Sequence, residues 1–138
     1  MQNNYMCPKC KGYLNVGNSV ILSVTSKNNQ RGIVLLSSEI GDYTTKHHSS
    51  LHFAEGEKVS FYCPICHARL ASRRHTNLAR ILMVDENNDV FEVLFSEITG
   101  ERCTFQIMGN QFKVFGDDSQ YYKEFLESMR KGHSFRNL

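Results

Sequence analysis

Two short cysteine pairs, Cys7-Pro8-Lys9-Cys10 and Cys63-Pro64-Ile65-Cys66, constrain this chain more than any other feature. A Cys-x-x-Cys turn presents both sulfurs to one point, and two such turns complete a tetrahedron around a metal at a Zn–S distance of about 2.3 Å. Proline after the first cysteine stiffens each turn by holding φ. Lys11 and His67, which follow the second cysteines, carry free amides of the kind that hydrogen-bond a thiolate and disperse its charge. Four cysteines leave no open coordination position, so the expected role of the metal is structural and not catalytic.

The segments Cys7-Pro8-Lys9-Cys10-Lys11-Gly12-Tyr13-Leu14 and Phe61-Tyr62-Cys63-Pro64-Ile65-Cys66-His67-Ala68-Arg69-Leu70 resemble the two knuckles of a zinc ribbon, the rubredoxin-like arrangement. The resemblance covers about twenty of the 138 residues. It implies one structural Zn2+ per chain on Cys7, Cys10, Cys63 and Cys66, and it carries no biological role, because zinc ribbons serve many. The chain departs from the usual pattern in its spacing. Residues 11–62 separate the pairs, whereas about 15–20 residues do so in compact ribbons. An inserted β-rich excursion between the knuckles is the expected cause.

Other cysteine chemistry fits less well. The N-terminus Met1-Gln2-Asn3-Asn4-Tyr5 lacks a basic and apolar leader, so a reducing, cytoplasmic location is expected, where disulfides are rare. Thiol redox sites of the Cys-Pro-x-Cys kind need a strand-to-helix junction in a βαβ unit, for which there is no pattern here. Cys63-Pro64-Ile65-Cys66-His67 matches a haem-attachment string, but attachment requires export and leaves residues 7–10 unexplained. Iron could occupy the same ligands in a rubredoxin-like electron carrier. Zinc is favoured because Lys11 and His67 stand where such iron knuckles usually have glycine. The fifth cysteine, Cys103, alternates with Phe105 and Ile107 and reads as a buried thiol. His47, His48 and His52 have no acidic or thiol support and read as a polar loop.

The fold class expected is mainly β: a zinc ribbon elaborated by antiparallel hairpins and a meander, with one C-terminal α-helix. Val20–Val24 and Ile33–Leu36 are β-branched and apolar on either side of the turn-rich Asn28–Gly32, which predicts a hairpin. Lys58–Tyr62 leads into the second pair as a strand. Leu78–Val84 is a strand candidate, with a short helix from Thr76 as its alternative. Val90–Phe95, Cys103–Ile107 and Phe112–Phe115 continue the meander, the last two joined by Gly109-Asn110. Tyr122, Phe125, Leu126 and Met129 recur at helical spacing behind Asp117, Asp118 or Ser119 as caps, and Gly132 is the expected stop. The chain reads as one domain, 1–138. Residues 1–80 form the knuckle half with its inserted hairpin, 81–132 the meander and helix, and 133–138 a tail. No internal repeat is apparent beyond the doubled cysteine motif. No apolar run approaches the roughly 20 residues of a membrane-spanning helix.

The formal net charge of +2 hides an asymmetry: residues 1–80 sum to +6 and residues 81–138 to −4. The stretch after the second knuckle is arginine-rich. Lys9, Lys11, Arg69, Arg73, Arg74 and Arg80 are therefore candidate polyanion-binding residues. The same cations could instead compensate the charge of about −2 on a zinc tetrathiolate. No catalytic motif is present: there is no nucleophile elbow, phosphate-binding glycine loop or His-Glu-x-x-His. The expected function is a non-catalytic zinc-stabilised module that binds another macromolecule, a protein or a nucleic acid. The alternatives are a nucleic-acid-binding protein using residues 69–80 and a rubredoxin-like iron electron carrier.

Overall fold

The computed structural model describes residues 3–131, except the side chains of Arg130 and Lys131. The chain is mainly β. It forms β1 (Asn4–Met6), β2 (Asn15–Val16), β3 (Ser19–Thr25), β4 (Arg31–Ser37), β5 (Thr45–His47), β6 (Ser60–Tyr62), β7 (Leu78–Val84), β8 (Val90–Ser96), β9 (Thr104–Met108) and β10 (Gln111–Phe115). A 3-10 turn (Asp117–Tyr122) and α1 (Lys123–Lys131) follow. Two antiparallel sheets result. Sheet A has the order β1-β7-β8-β9-β10. Sheet B has β2-β3-β4-β5, with β6 also paired to β3. Leu78–Val84 is a strand, so the helical alternative for it is overturned. Its alternation sends Ala79, Ile81 and Met83 into one core and Leu78 into another.

The spacing of the cysteine pairs has a different cause from an insertion: the chain contains one structural unit twice. Adding 56 to a residue number maps β1 and the first knuckle onto β6 and the second; adding 59 maps β3, β4 and β5 onto β7, β8 and the start of β9. The registers agree residue by residue. Ser19 faces Ser37 as Leu78 faces Ser96, and Val34 faces His47 as Val93 faces Gln106. The turns agree too. In the β3–β4 turn Ser26 donates to the Gln30 carbonyl and Asn29 has φ 61°. In the β7–β8 turn Asp85 donates to the Asp89 carbonyl and Asn88 has φ 64°. The expectation of no repeat beyond the cysteines is thereby corrected. Few identities survive because a core position asks for apolar volume, not for a particular residue.

The two units exchange their first strands. β1 pairs with β7 of the second unit, and β6 pairs with β3 of the first. The core between the sheets follows the same approximate two-fold relation: Tyr5 with Phe61, Leu14 with Leu70, Val20 with Ala79, Leu22 with Ile81, Val24 with Met83, and Val34 with Val93. Neither sheet is complete without a strand from the other unit.

The outer face of sheet A carries the second core. Leu78, Leu94, Phe105 and Ile107 are covered by Tyr122, Met129, Phe125 and Leu126. The expected cap is replaced. Gly116 precedes the 3-10 turn with φ 95° and no side chain caps it. The Asp118 carboxylate accepts instead from the Arg102 amide at 2.8 Å. The expected stop at Gly132 and the tail 133–138 lie outside the described residues.

Candidate metal centre

Each knuckle is built by the same backbone bonds. The Cys7 amide donates to the Gly12 carbonyl at 3.0 Å and the Lys11 amide to the Cys7 carbonyl at 3.0 Å. In the second knuckle Cys63 donates to Ala68 at 3.0 Å and His67 to Cys63 at 2.9 Å. Closing this tight turn puts Lys11 at φ 62° and His67 at φ 67°, the left-handed region that glycine enters most cheaply. The amides of Lys11 and His67 are thus used by the backbone. The one expected to reach sulfur comes a residue later: Gly12 donates to Cys10 Sγ at 3.4 Å, and Ala68 does the same for Cys66.

The four sulfurs lie within 4.8 Å of one another. Cys7 Sγ stands 3.7 Å from Cys66 Sγ, and Cys10 Sγ 3.8 Å from Cys63 Sγ. Two ligands about 2.3 Å from a tetrahedral zinc are about 3.8 Å apart, so the donor set fits a four-thiolate metal without rearrangement. Amides of Lys9 and Cys10 point at Cys7 Sγ, and those of Ile65 and Cys66 at Cys63 Sγ, at 3.3–3.5 Å. Those donors stabilise thiolate over thiol. Burial opposes them at Cys63 and raises its thiol. At the more open Cys66 the Ala68 amide dominates and lowers it. Cys7 and Cys63 are fully buried while Cys10 is exposed.

The other candidates are placed as follows. Cys103 is buried in the outer core of sheet A, where burial pushes its thiol up to about 12. Among the described residues the four-cysteine group is the one cluster of three or more metal-type donors, and His47, His48 and His52 form none. The cationic residues divide into two groups. Arg74 Nε and Arg80 Nε donate to opposite oxygens of Glu92, at 3.0 and 2.7 Å. Arg69 lies 3.8 Å from the buried Glu97, which Lys58 approaches at 4.0 Å. Lys9, Lys11 and Arg73 are exposed, and Lys11 Nζ donates to the Pro8 carbonyl at 2.9 Å.

The arginine segment also has a place in the repeat. Where the first unit turns through Val16-Gly17-Asn18, the second runs through Ser72–Asn77, three residues longer. His75 of that loop packs its ring against Tyr122 and Phe125, with centroids 4.9 and 5.5 Å apart. The longer loop therefore supports the helix. Sequence inspection missed this because the contact is between residues far apart in the chain.

Among the described residues no helix is long and apolar enough to cross a membrane. No family model, curated protein or solved structure matches the chain, so the chemistry of the site itself carries the functional reading.

Proposed function

We propose that this chain is a non-catalytic zinc protein in which one Zn2+ ties together two strand-exchanged units, and that the resulting rigid body serves as an interaction module for another protein. The observation that carries the reading is that each close sulfur pair, Cys7 with Cys66 and Cys10 with Cys63, joins one unit to the other. A metal there cross-links the molecule across its two-fold relation, adding to the exchanged strands and the shared core that otherwise oppose closure entropy. The ligand set is closed, which suits a structural ion and leaves no position for substrate. A protein partner is favoured over nucleic acid because Arg69, Arg74 and Arg80 each face a carboxylate of their own chain.

Two measurements test this reading. Elemental analysis of purified protein should give one zinc per chain and no colour; a red iron form would replace it with the electron-carrier reading. A tagged pull-down should retain its protein partner after nuclease treatment. Loss of all bound material on nuclease digestion would favour the nucleic-acid alternative through residues 69–80.

A further inference from the structure

The repeat supplies an internal comparison between two equivalent sheet faces. On sheet A the middle of the outer face is covered: α1 lies over Leu78 and Leu94, and beyond it Arg80, Glu92 and Arg74 close into an ion-paired cluster, while Val90 at the strand end stays 49% exposed. On sheet B the residue equivalent to Arg80 is Ile21, that equivalent to Glu92 is Ile33, and that equivalent to Leu94 is Leu35. Ile21 and Leu35 are direct cross-strand partners. Ser23 lies between Ile33 on β4 and Tyr62 on β6, so these apolar side chains share one continuous outer surface. Ile21, Ile33 and Leu35 belong to neither core, and Ile33 is 47% exposed. Val16, on the same face, is 70% exposed.

Charge specifies the occupant. The strands of sheet B contain no acidic residue at all, and its outer face carries Arg31 and, opposite Leu35, Lys46. A second copy docked face to face would bring like charges together, which opposes a symmetric dimer. On sheet A the element that covers the equivalent face is an amphipathic helix, which carries Lys123, Arg130 and Lys131 as well as Glu124 and Glu127, so it supplies the helical form of the occupant and Arg31 and Lys46 supply the preference for acidic flanks. We propose that the outer face of sheet B, centred on Ile21, Ile33 and Leu35, is the docking surface for an amphipathic helix of a partner protein whose polar flanks are acidic. This deepens the interaction-module reading and rests on it.

The probe is a pair of synthetic helical peptides of about 16 residues with one shared Leu/Phe face, flanked by Glu in one and by Lys in the other. Each is titrated into the zinc-loaded full chain while backbone amide NMR signals are followed. The Glu-flanked peptide should bind about tenfold tighter than the Lys-flanked one and perturb β3 and β4 first. Ile33→Glu should weaken it by a further factor of about ten with the melting temperature unchanged. Ile33→Ser provides the same test if the glutamate variant misfolds. No binding, equal binding of the two peptides, or perturbation centred on the knuckles would overturn the proposal. A photo-cross-linker placed at Ile33 or at Ile65 separates the two levels. Adducts at Ile33 that map to an acidic amphipathic helix support the proposal. Protein adducts only at Ile65 overturn this surface and keep the module reading, and none at either position overturns both.

Discussion

Cys7 and Cys66 stand 59 residues apart in the chain and 3.7 Å apart at sulfur, and the equivalent contact, Cys10 to Cys63, measures 3.8 Å. The turns that carry them belong to different units, so whatever binds these sulfurs also closes the sandwich. Removing the metal with a chelator, or making Cys63→Ser, is expected to lower the melting temperature by well over 10 °C or to unfold the chain. Cys103→Ser, in the outer core, should leave metal content unchanged. Differential scanning calorimetry with metal analysis checks both, and an unaltered melt after complete metal loss would remove the structural role.

Lys11 and His67 hold left-handed backbone that costs a residue with Cβ about 1–2 kcal/mol, while glycine loses about 0.5–1 kcal/mol more chain entropy on folding. The larger quantity decides. Lys11→Gly and His67→Gly should each stabilise the zinc form by up to about 1 kcal/mol, and Lys11→Val should destabilise it by more than that. Urea titrations of the zinc-loaded variants test the order Gly, wild type, Val.

Glu92 accepts from Arg74 and Arg80 and is largely shielded by them, with a side chain 14% exposed. Glu92→Ala removes the carboxylate shared by the guanidinium groups of Arg80 on β7 and Arg74 in the preceding loop. It should cost about 1–3 kcal/mol, discounted from a fully buried pair because Arg80 is partly solvated. The double variant Glu92→Ile with Arg80→Ile copies the chemistry of Ile33 and Ile21 and should recover part of that loss. Double-mutant analysis of chemical denaturation measures the coupling.

Glu97 is 1% exposed, and its nearest cations, Arg69 and Lys58, stand 3.8 and 4.0 Å away. Burial therefore raises its carboxyl above the ordinary carboxylate range, with Arg69 and then Lys58 opposing. Between the ordinary value and the raised one the folded state binds more protons than the unfolded state, so stability falls as pH rises through that window. Glu97→Gln is expected to be more stable than wild type at pH 7, with the advantage vanishing once pH falls below the ordinary carboxylate value. Melting temperatures of both proteins from pH 4 to pH 8 decide it; parallel curves would sink the idea.

His75 runs the other way. Burial against Tyr122 and Phe125 lowers its pKa, Glu101 partly opposing, and its Nδ1 accepts from the Asn77 amide at 3.0 Å, which requires the neutral ring. Acidification below the ordinary histidine value loads the unfolded state with protons first, so stability is lost as pH falls. His75→Phe should flatten the decline between pH 7 and pH 5 by melting temperature, while a slope equal to wild type would deny His75 any part in it.

What the amino-acid sequence determined by itself is what depends on neighbours in the chain. The cysteine cluster was legible because Cys-Pro-x-Cys is a local turn, and the hairpin across Asn28–Gly32, whose turn the structure places at Ser26–Gln30, because turn residues and alternation act over a few positions. The helix face of Tyr122, Phe125, Leu126 and Met129 was legible for the same reason. Three-residue strands such as β1 and β5 left too little pattern to read. Only the tertiary structure decided the repeat, the exchange of β1 and β6, and the pairing of the arginines with Glu92 and Glu97. Those depend on which surfaces meet across more than fifty residues, and burial tolerates many apolar exchanges, Leu22 for Ile81 or Val24 for Met83, that erase the likeness in sequence while preserving the register.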